Sequence, residues 1–333
     1  MKTCGIIGEY NPFHKGHIYH LQQAKEKSKC DCLIVITSGL YSQRGLPSLL
    51  TPNDKTKLLL ENGANLILEL PACYACQSAD YFARYAIESL SQLDIDSLCF
   101  GSECNDINLL SSISLNKDID VKKSLNRNQN LQLQPNDILG YSYIQWCKEK
   151  GIQPISILRN NSFKSATQTR IDAYITQQDF QSYFYLEQNW NSYYPFLKTF
   201  LQLTDTDTLS SFLLVNEGIE NRLKDAAKKC ETWNDFLQSC ISKTYSKSRI
   251  QRTCIMILLQ IKKEEFIPSF TACKVLGFDS IGQQILKQNK GKNIYTKFAD
   301  MPIFLQQIEL KSDALYQSIS NVKLNHKVMY YEK

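Results

Sequence analysis

Three of the four histidines in this 333-residue chain lie within one stretch of seven residues near its start. His14 and His17 enclose a lysine and a glycine in a His-Lys-Gly-His tetrad, and His20 follows. Gly16 lets a phosphate approach the backbone closely, and the start of a helix would direct free N–H groups at that phosphate. Two imidazoles can donate hydrogen bonds to phosphate oxygens and stabilise the charge that develops on an α-phosphate during in-line displacement. The tetrad therefore predicts a phosphate-binding catalytic site.

The surroundings of the tetrad favour this interpretation. Residues 4–8 form an apolar run typical of a buried strand, and residues 18–29 form an amphipathic run typical of a helix. Asn11 is a natural turn residue, and Pro12 restricts the entry of the loop. In open parallel sheets, ligands bind at the carboxyl ends of the strands, which is where this turn would lie. The alternative is that the two histidines only cap the helix.

Short apolar runs alternate with longer amphipathic runs through the first half of the chain. The predicted strands are residues 4–8, 32–37, 66–70, 97–100 and 155–158. Strands that are apolar on both faces and alternate with helices indicate a parallel sheet with helices on both sides. The predicted fold class is therefore α/β, with a Rossmann-like parallel sheet.

After about residue 175 the strand signals fade. The predicted helices there are residues 179–186, 209–214, 219–230, 233–244, 248–261, 269–276 and 280–288. Residues 105–133 and 310–333 are polar, and we expect surface loops or short exposed helices. The pattern predicts an α/β domain over residues 1–175 and a smaller, mainly α-helical domain over residues 176–333.

The composition is that of a globular protein, with 43% hydrophobic and 21% charged residues, which excludes a disordered or collagen-like chain. The net charge is +5, of which +4 falls on residues 176–333, a weak indication of a polyanionic partner. The sequence shows neither a signal peptide nor an apolar run of about 18 residues. We therefore expect a cytoplasmic protein with no membrane contact and with reduced thiols.

The twelve cysteines raise the question of a metal site. Cys73 and Cys76 have CxxC spacing, but no second CxxC pair or histidine pair completes a four-ligand set at the usual spacing. The segment around them is apolar. The sequence therefore predicts packed free cysteines and no metal site.

Several longer strings resemble one family. They are GIIGEYNPFHKGHIYHLQQAK (5–25), SGLYSQRG (38–45), NLILELPACYACQSADYFARYAIESL (65–90), DSLCFGSE (96–103), QPNDILGYSYI (134–144) and SATQTRI (165–171). Together they are similar to the bacterial tRNA(Met) cytidine acetate ligases, a family of the HxGH nucleotidyltransferase-like superfamily. The resemblance implies that acetate attacks the α-phosphate of ATP, accompanied by Mg²⁺, to form acetyl-adenylate and pyrophosphate. It further implies transfer of the acetyl group to N4 of the wobble cytidine of elongator tRNA(Met).

The resemblance also implies the site residues. The implied catalytic residues are His14, His17 and Arg170. The implied ATP contacts are Ile7, Gly8, Glu9, Tyr10, Asn11, Pro12, Phe13, His14, Lys15, Gly16, His17, Ile18, Tyr19, His20, Gly101, Asn136, Arg159, Asn160, Ser165 and Thr167. Contacts with tRNA are expected from a basic cluster around Tyr245 that consists of Lys243, Lys247, Arg249 and Arg252. For Arg44 three roles stay open, which are contact with the substrate, contact with tRNA and an ion pair with a carboxylate.

Two other functions stay open at this point. One is a small-molecule adenylyltransferase of the same superfamily, which the match along nearly the whole chain and the helical second half disfavour. The other is a non-catalytic RNA-binding factor on a vestigial nucleotide fold. The presence of the histidine tetrad together with Thr167 and Arg170 argues against it.

Overall fold

The computed structural model describes residues 1–113, 133–176, 184–269 and 272–332. The strands are β1 (Thr3–Gly8), β2 (Cys32–Ser38), β3 (Leu66–Leu70), β4 (Ser97–Ser102), β5 (Gln153–Leu158), β6 (Cys273–Phe278), β7 (Ile294–Tyr295) and β8 (Met329–Tyr330). The α-helices are α1 (Lys15–Ser28), α2 (Pro52–Glu61), α3 (Ala72–Ala75), α4 (Ala79–Ser91), α5 (Ile107–Ser112), α6 (Pro135–Lys150), α7 (Ala166–Thr176), α8 (Trp190–Leu203), α9 (Thr206–Ser211), α10 (Ile219–Lys229), α11 (Trp233–Cys240), α12 (Lys247–Leu258), α13 (Ser280–Gln288) and α14 (Ile303–Ile319).

The strands form one sheet in the order β5-β4-β1-β2-β3-β6-β7, and β8 pairs with β6. The five strands predicted in the first half are all present and pair in parallel with one another. β1 lies between β2 and β4, so the carboxyl ends of these three strands meet at one edge of the sheet. The predicted α/β fold class is confirmed.

β1 is covered on both faces, as its continuous apolar run predicts. Ile6 packs in one layer with Leu21 and Ala24 of α1. Ile7, which points to the opposite face, belongs to the layer that contains Phe82 of α4. Because successive side chains of a strand point to opposite faces, an apolar run is stable only between two such layers.

The prediction of a helix over residues 269–276 is wrong. The structure has β6 there, antiparallel to β3 and at the edge of the parallel strands. Lys274 is a charged residue in a buried strand, and it interrupts the apolar run that would indicate a strand. Its Nζ lies 2.7 Å from Oε2 of Glu69 and 3.5 Å from Oε2 of Glu309. The strand therefore contains a buried ion cluster, which cannot be predicted from the residues next to Lys274 because both carboxylates are remote in sequence.

Residues 310–333 also differ from the prediction. The first ten continue α14, in which Tyr316 is buried and donates to the carbonyl of Ser48 over 2.9 Å. The predicted segments 105–133 and 179–186 fall largely outside the described residues. The remaining predicted helices of the second half are present, the helix over residues 280–288 with the predicted bounds and the others with shifted ends.

The division into two domains stays a prediction, since β6, β7 and β8 of the second half extend the sheet of the first. Within the described ranges, none of the helices combines the length and the apolar character that a membrane span requires.

One of the titratable side chains of α1 is that of His20. Nε2 of His20 is enclosed and has no hydrogen-bond partner among the described residues. Burial lowers the pKa of His20 to about 4. In the unfolded chain the same imidazole titrates with its ordinary pKa near 6.5. At pH values between these two pKa values the unfolded chain binds more protons than the folded chain, so the free energy of unfolding falls as the pH falls.

Substitution of His20 tests this linkage. Across pH 7.5 to 5, we expect His20→Leu to lose about 2 kcal/mol less unfolding free energy than the wild type, because leucine binds no proton. Urea unfolding of both chains at the two pH values measures the difference. Equal losses in the two chains would show that His20 is not held neutral by burial.

Candidate active site

The loop after β1 is held in place by the loop after β2. The backbone N–H of Gln43 donates to the Glu9 carboxylate. Nδ2 of Asn11 donates to the carbonyl of Pro47 over 3.0 Å, and Oδ1 of Asn11 accepts from the N–H of Leu49 over 3.0 Å. The Asn11 side chain is buried, and these bonds give both of its polar atoms a partner and fix the path of the chain into α1.

His14 and His17 are oriented by the backbone of the turn that contains them. The N–H of His14 donates to Nδ1 of His17 over 3.2 Å, and the N–H of Gly16 donates to Nδ1 of His14 over 3.1 Å. In both rings Nδ1 is therefore an acceptor, and a neutral ring must have its proton on Nε2. The histidines do cap α1, but capping uses only Nδ1 and leaves Nε2–H as a donor for a ligand.

Both imidazoles are neutral near pH 7. Their rings stack with centroids 3.8 Å apart. Burial, together with the charge of Arg159, lowers the pKa of His14 to about 4. Burial, His14 and His20 hold the pKa of His17 well below its usual range. The pair is therefore a set of neutral hydrogen-bond donors, and positive charge at the site comes from other groups.

Tyr10 forms the apolar wall that buries His17. Its ring packs edge-on against His17 with centroids 4.9 Å apart and lies 5.8 Å from the ring of Phe13. A Cβ at Gly8 would lie 2.7 Å from Cζ of Tyr10, so the last residue of β1 must be glycine for the ring to fit. The Tyr10 hydroxyl is enclosed without a hydrogen-bond partner among the described residues.

A second wall is built at the ends of β4 and β5. A Cβ at Gly101 would meet nothing within 4 Å, so this strand end borders open space. Arg159 follows β5 and lies near enough to His14 to affect its pKa. Nδ2 of Asn136, at the start of α6, donates to Oε1 of Glu103 over 2.7 Å, and Nη1 of Arg159 lies 3.2 Å from the same oxygen.

Sequence reasoning missed Glu103 as a site residue. The signal was present, because the FGSE string places a carboxylate directly after β4, at the ligand-binding edge. What the string could not reveal was that Asn136 and Arg159 would both donate to it.

The start of α7 approaches the turn from another direction. Arg170 donates to the backbone carbonyl of Asn11 and, over 3.4 Å, to the hydroxyl of Thr167. Oγ of Ser165 accepts from the N–H of Gln168 over 3.1 Å, so this hydroxyl caps the helix. The structure therefore brings Arg170 to the histidine turn and places Thr167 beside Arg170, whereas Ser165 has a local structural role.

The other predicted ATP contacts lie around the same turn. Oδ1 of Asn160 accepts from the N–H and the hydroxyl of Ser162, so the oxygen orders its own turn. Lys15 is exposed at the start of α1. The ring of Tyr19 lies 5.8 Å from the ring of Phe163. Ile7 is in β1, and Pro12, Phe13 and Ile18 belong to the turn or the first turn of α1.

The loop that contains Arg44 packs against α12. Gly45 has a φ of 72°, and a Cβ there would lie 2.7 Å from the backbone N of Arg252. Nε1 of Trp190 donates to the Gly45 carbonyl over 2.9 Å. Arg44 is exposed at the tip of this loop. Arg252 is half-buried, and burial lowers the pKa of its guanidinium to about 10, so it is less accessible than Arg44 but still charged near pH 7.

The rest of the predicted basic cluster has two kinds of members. Arg249 pairs with Glu217 over 3.0 Å and lies over the ring of Tyr245, 4.8 Å from its centroid. Of the four side chains of the cluster, those of Lys243 and Lys247 are exposed and those of Arg249 and Arg252 are half-buried.

Cys73 is buried in α3, and Cys76 is buried directly after it. The Sγ of Cys76 donates to the carbonyl of Ser42 over 3.2 Å. Across residues 1–113, 133–176, 184–269 and 272–332, no three side chains of His, Cys, Asp or Glu are grouped to hold a metal ion.

Comparisons with known proteins place the chain in a family. The HIGH Nucleotidyl Transferase family model matches residues 1–130 and 116–330. The tRNA(Met) cytidine acetate ligase of Oceanobacillus iheyensis is 32% identical, covering 100% of this chain and 98% of that protein. The protein of the same name from Geobacillus sp. (strain WCH70) is 31% identical, covering 100% and 96%.

A solved structure is also similar to this chain. The crystal structure of Thermotoga maritima TmcAL bound with alpha-thio ATP matches with a TM-score of 0.83 at 25% identity, covering 99% of this chain and 100% of that chain. The chain therefore belongs to the HIGH nucleotidyl transferase family, in the group of proteins that have the name tRNA(Met) cytidine acetate ligase.

Proposed function

We propose that this protein is an ATP-dependent tRNA(Met) cytidine acetate ligase. The observation that carries the proposal is the pair of neutral Nε2–H donors of His14 and His17 at the start of α1, in a chain whose relatives of that name match it from end to end. Such donors, next to the free N–H groups of a helix start, suit a phosphate that gains charge in a transition state.

In the first half-reaction, a carboxylate oxygen of acetate attacks the α-phosphorus of ATP. The new P–O bond gives acetyl-adenylate, and the bond to the β-phosphate breaks to release pyrophosphate. His14 and His17 donate to the oxygens of the α-phosphate. Arg170, which donates to the Asn11 carbonyl, and Thr167 beside it are suited to the leaving pyrophosphate. Mg²⁺ that enters with ATP neutralises phosphate charge.

The nucleoside part of ATP is assigned to the wall at the ends of β4 and β5. Gly101 borders open space, which leaves room for a ribose or a base against the backbone. Arg159 and Asn136 supply donors from two sides, and a guanidinium can also stack on adenine. Asn160 keeps its Nδ2 group for the ligand while its oxygen orders the turn.

In the second half-reaction, N4 of the wobble cytidine of elongator tRNA(Met) attacks the acetyl carbonyl carbon. The C–N bond forms, AMP leaves, and the amine loses a proton. Residues 1–175 would perform both steps at the histidine turn, and residues 176–333 would hold the tRNA. Both ATP and tRNA are cytoplasmic, and we place the protein there.

We assign the tRNA-docking face to Arg44, Lys243 and Lys247. Arg44 lies on the loop after β2, at the same sheet edge as the histidines, and the contact of Gly45 with Arg252 puts that loop beside α12. Lys247 is the first residue of α12, and Lys243 precedes it. Exposed cations on this loop and at the start of the helix it packs against suit an RNA backbone.

The activity is tested directly by incorporation of labelled acetate. With ATP and Mg²⁺, the full chain should transfer radiolabel from acetate to an elongator tRNA(Met) transcript, and digestion should yield N4-acetylcytidine. A transcript with uridine at the wobble position is the matched control and should stay unlabelled. A folded chain that labels neither transcript would contradict the ligase function. Adenylylation of a small molecule instead would favour the alternative enzyme, and tRNA binding without ATP turnover would favour the RNA-binding factor.

Substitution of His17 tests the catalytic role of the turn. We expect His17→Ala to lower acetate-dependent ATP–pyrophosphate exchange by roughly 10²–10³-fold, the loss typical of one preorganised donor. His326→Gln is the control, because this histidine pairs with Asp313 on α14, outside the turn. Thermal unfolding checks that both variants fold. An exchange rate of wild-type size in folded His17→Ala would refute the assignment.

Charge reversal tests the docking face. We expect Lys243→Glu with Lys247→Glu to weaken tRNA binding and to make its dependence on log[salt] shallower by about 2, since two phosphate contacts are lost. ATP–pyrophosphate exchange without tRNA should be unchanged. Lys148→Glu with Lys150→Glu makes the same charge change at the exposed end of α6, on the opposite edge of the sheet. Equal weakening by both double variants would mean that only net charge matters.

A further inference from the structure

Glu103 accepts hydrogen bonds from the two side chains assigned to the nucleoside. Its Oε1 accepts from Nδ2 of Asn136 over 2.7 Å and from Nη1 of Arg159 over 3.2 Å. Asn136 belongs to the first turn of α6, whereas Arg159 directly follows β5. One carboxylate oxygen therefore sets the relative position of two donors that come from different elements.

The other oxygen holds the carboxylate itself. Oε2 of Glu103 accepts from the backbone N–H groups of Asn136 and Asp137, each over 3.1 Å. These N–H groups belong to the first turn of α6, which has no partners for them within the helix. A carboxylate at a helix start is also favoured by the helix dipole. Glu103, only 18% exposed in its side chain, is therefore oriented by backbone and not by solvent.

Asp137, in the first turn of α6, accepts hydrogen bonds from residues at and directly after the end of β4, whereas Glu103, directly after β4, accepts from the first turn of α6. Its Oδ1 accepts from the hydroxyl of Ser102 over 2.6 Å, from the N–H of Glu103 over 2.9 Å and from the N–H of Cys104 over 3.3 Å. These bonds fasten the end of β4 to the start of α6. The joint between the two elements thus has two carboxylates, and Glu103 is the one that accepts from Asn136 Nδ2 and Arg159.

Resting on the proposed function, we infer that Glu103 is a positioning residue for ATP, which orients Asn136 and Arg159 before the nucleotide binds. The contact with Glu103 uses Nη1 of Arg159 and leaves the other guanidinium donors and the planar face for the ligand. The Arg159 side chain is 39% exposed and stays within reach of a nucleotide. Two side chains that are already ordered lose less conformational entropy on binding, which increases affinity for ATP.

The variant Glu103→Gln keeps the shape and removes the charge. An amide in this place must also turn a donor NH₂ group toward either the helix N–H groups or the two side-chain donors. In the full chain, we expect the Kd of ATP from titration calorimetry and the KM of ATP in exchange to rise about tenfold, the effect of one charge-assisted hydrogen bond. The kcat should change less than about threefold, because the reacting groups are untouched.

The control variant is Asp137→Asn, which weakens the same joint through the other carboxylate. It should lower the unfolding temperature about as much as Glu103→Gln while the ATP Kd stays near the wild-type value. A second control removes both assigned donors in Asn136→Ala with Arg159→Ala. In that background Glu103→Gln should have no further effect on the ATP Kd, because coupled residues are not additive.

Three results would overturn the role of Glu103. They are an unchanged ATP Kd in Glu103→Gln, an equal rise of the Kd in Asp137→Asn, and an undiminished effect in the background without the two donors. The ligase function is tested separately from the role of Glu103. If the wild-type chain binds ATP but shows no acetate-dependent exchange, the ligase function is refuted, while the ATP Kd values of the wild type and Glu103→Gln still decide the role of Glu103. Absence of ATP binding by the wild-type chain would overturn both.

Discussion

The parallel pairing of β1 with β2 on one side and β4 on the other is the constraint on which the rest of the site depends. It places three strand ends at one edge, so that loops far apart in sequence become neighbours. Glu9 and Asn11 can then bond to the loop after β2, and Gly101 borders open space near the carboxyl end of the neighbouring strand β4. With another order of strands, these residues would not lie close enough together to contact the same ligand.

The site separates hydrogen bonding from charge. The stacked imidazoles of His14 and His17 are neutral, because burial opposes their protonation and the turn occupies both Nδ1 atoms. Positive charge comes from Arg159 and Arg170, which reach the turn from other elements, and from the start of α1. Neutral donors bind a phosphate without the like-charge repulsion that two adjacent imidazolium ions would suffer.

The spacing of apolar and turn residues predicts those elements of the fold that depend on residues close together in sequence. The apolar strands β1 to β5 and the histidine turn follow from residue type and spacing, and they are confirmed by the fold. β6 was missed because Lys274 is stabilised by Glu69 and Glu309, which are remote in sequence. Glu103 was missed for the same reason, since its partners come from α6 and the end of β5. The half-burial of Arg252 was not predictable for the same reason, since Gly45, more than 200 residues earlier in the chain, packs closely against its backbone.

One loop connects the phosphate chemistry to the proposed docking face. On one side, the N–H of Gln43 donates to Glu9 at the end of β1, and on the other, Gly45 packs on the backbone of α12. A hydrogen bond to a side chain holds this loop at one end and close packing on a helix backbone holds it at the other, so the fold sets the distance between the histidine turn and α12. A ligase that passes an activated acyl group to a macromolecule needs such a fixed distance, because the amine must meet the adenylate before water does. The close approach at Gly45, with its φ of 72°, is therefore the structural reason that a glycine follows Arg44.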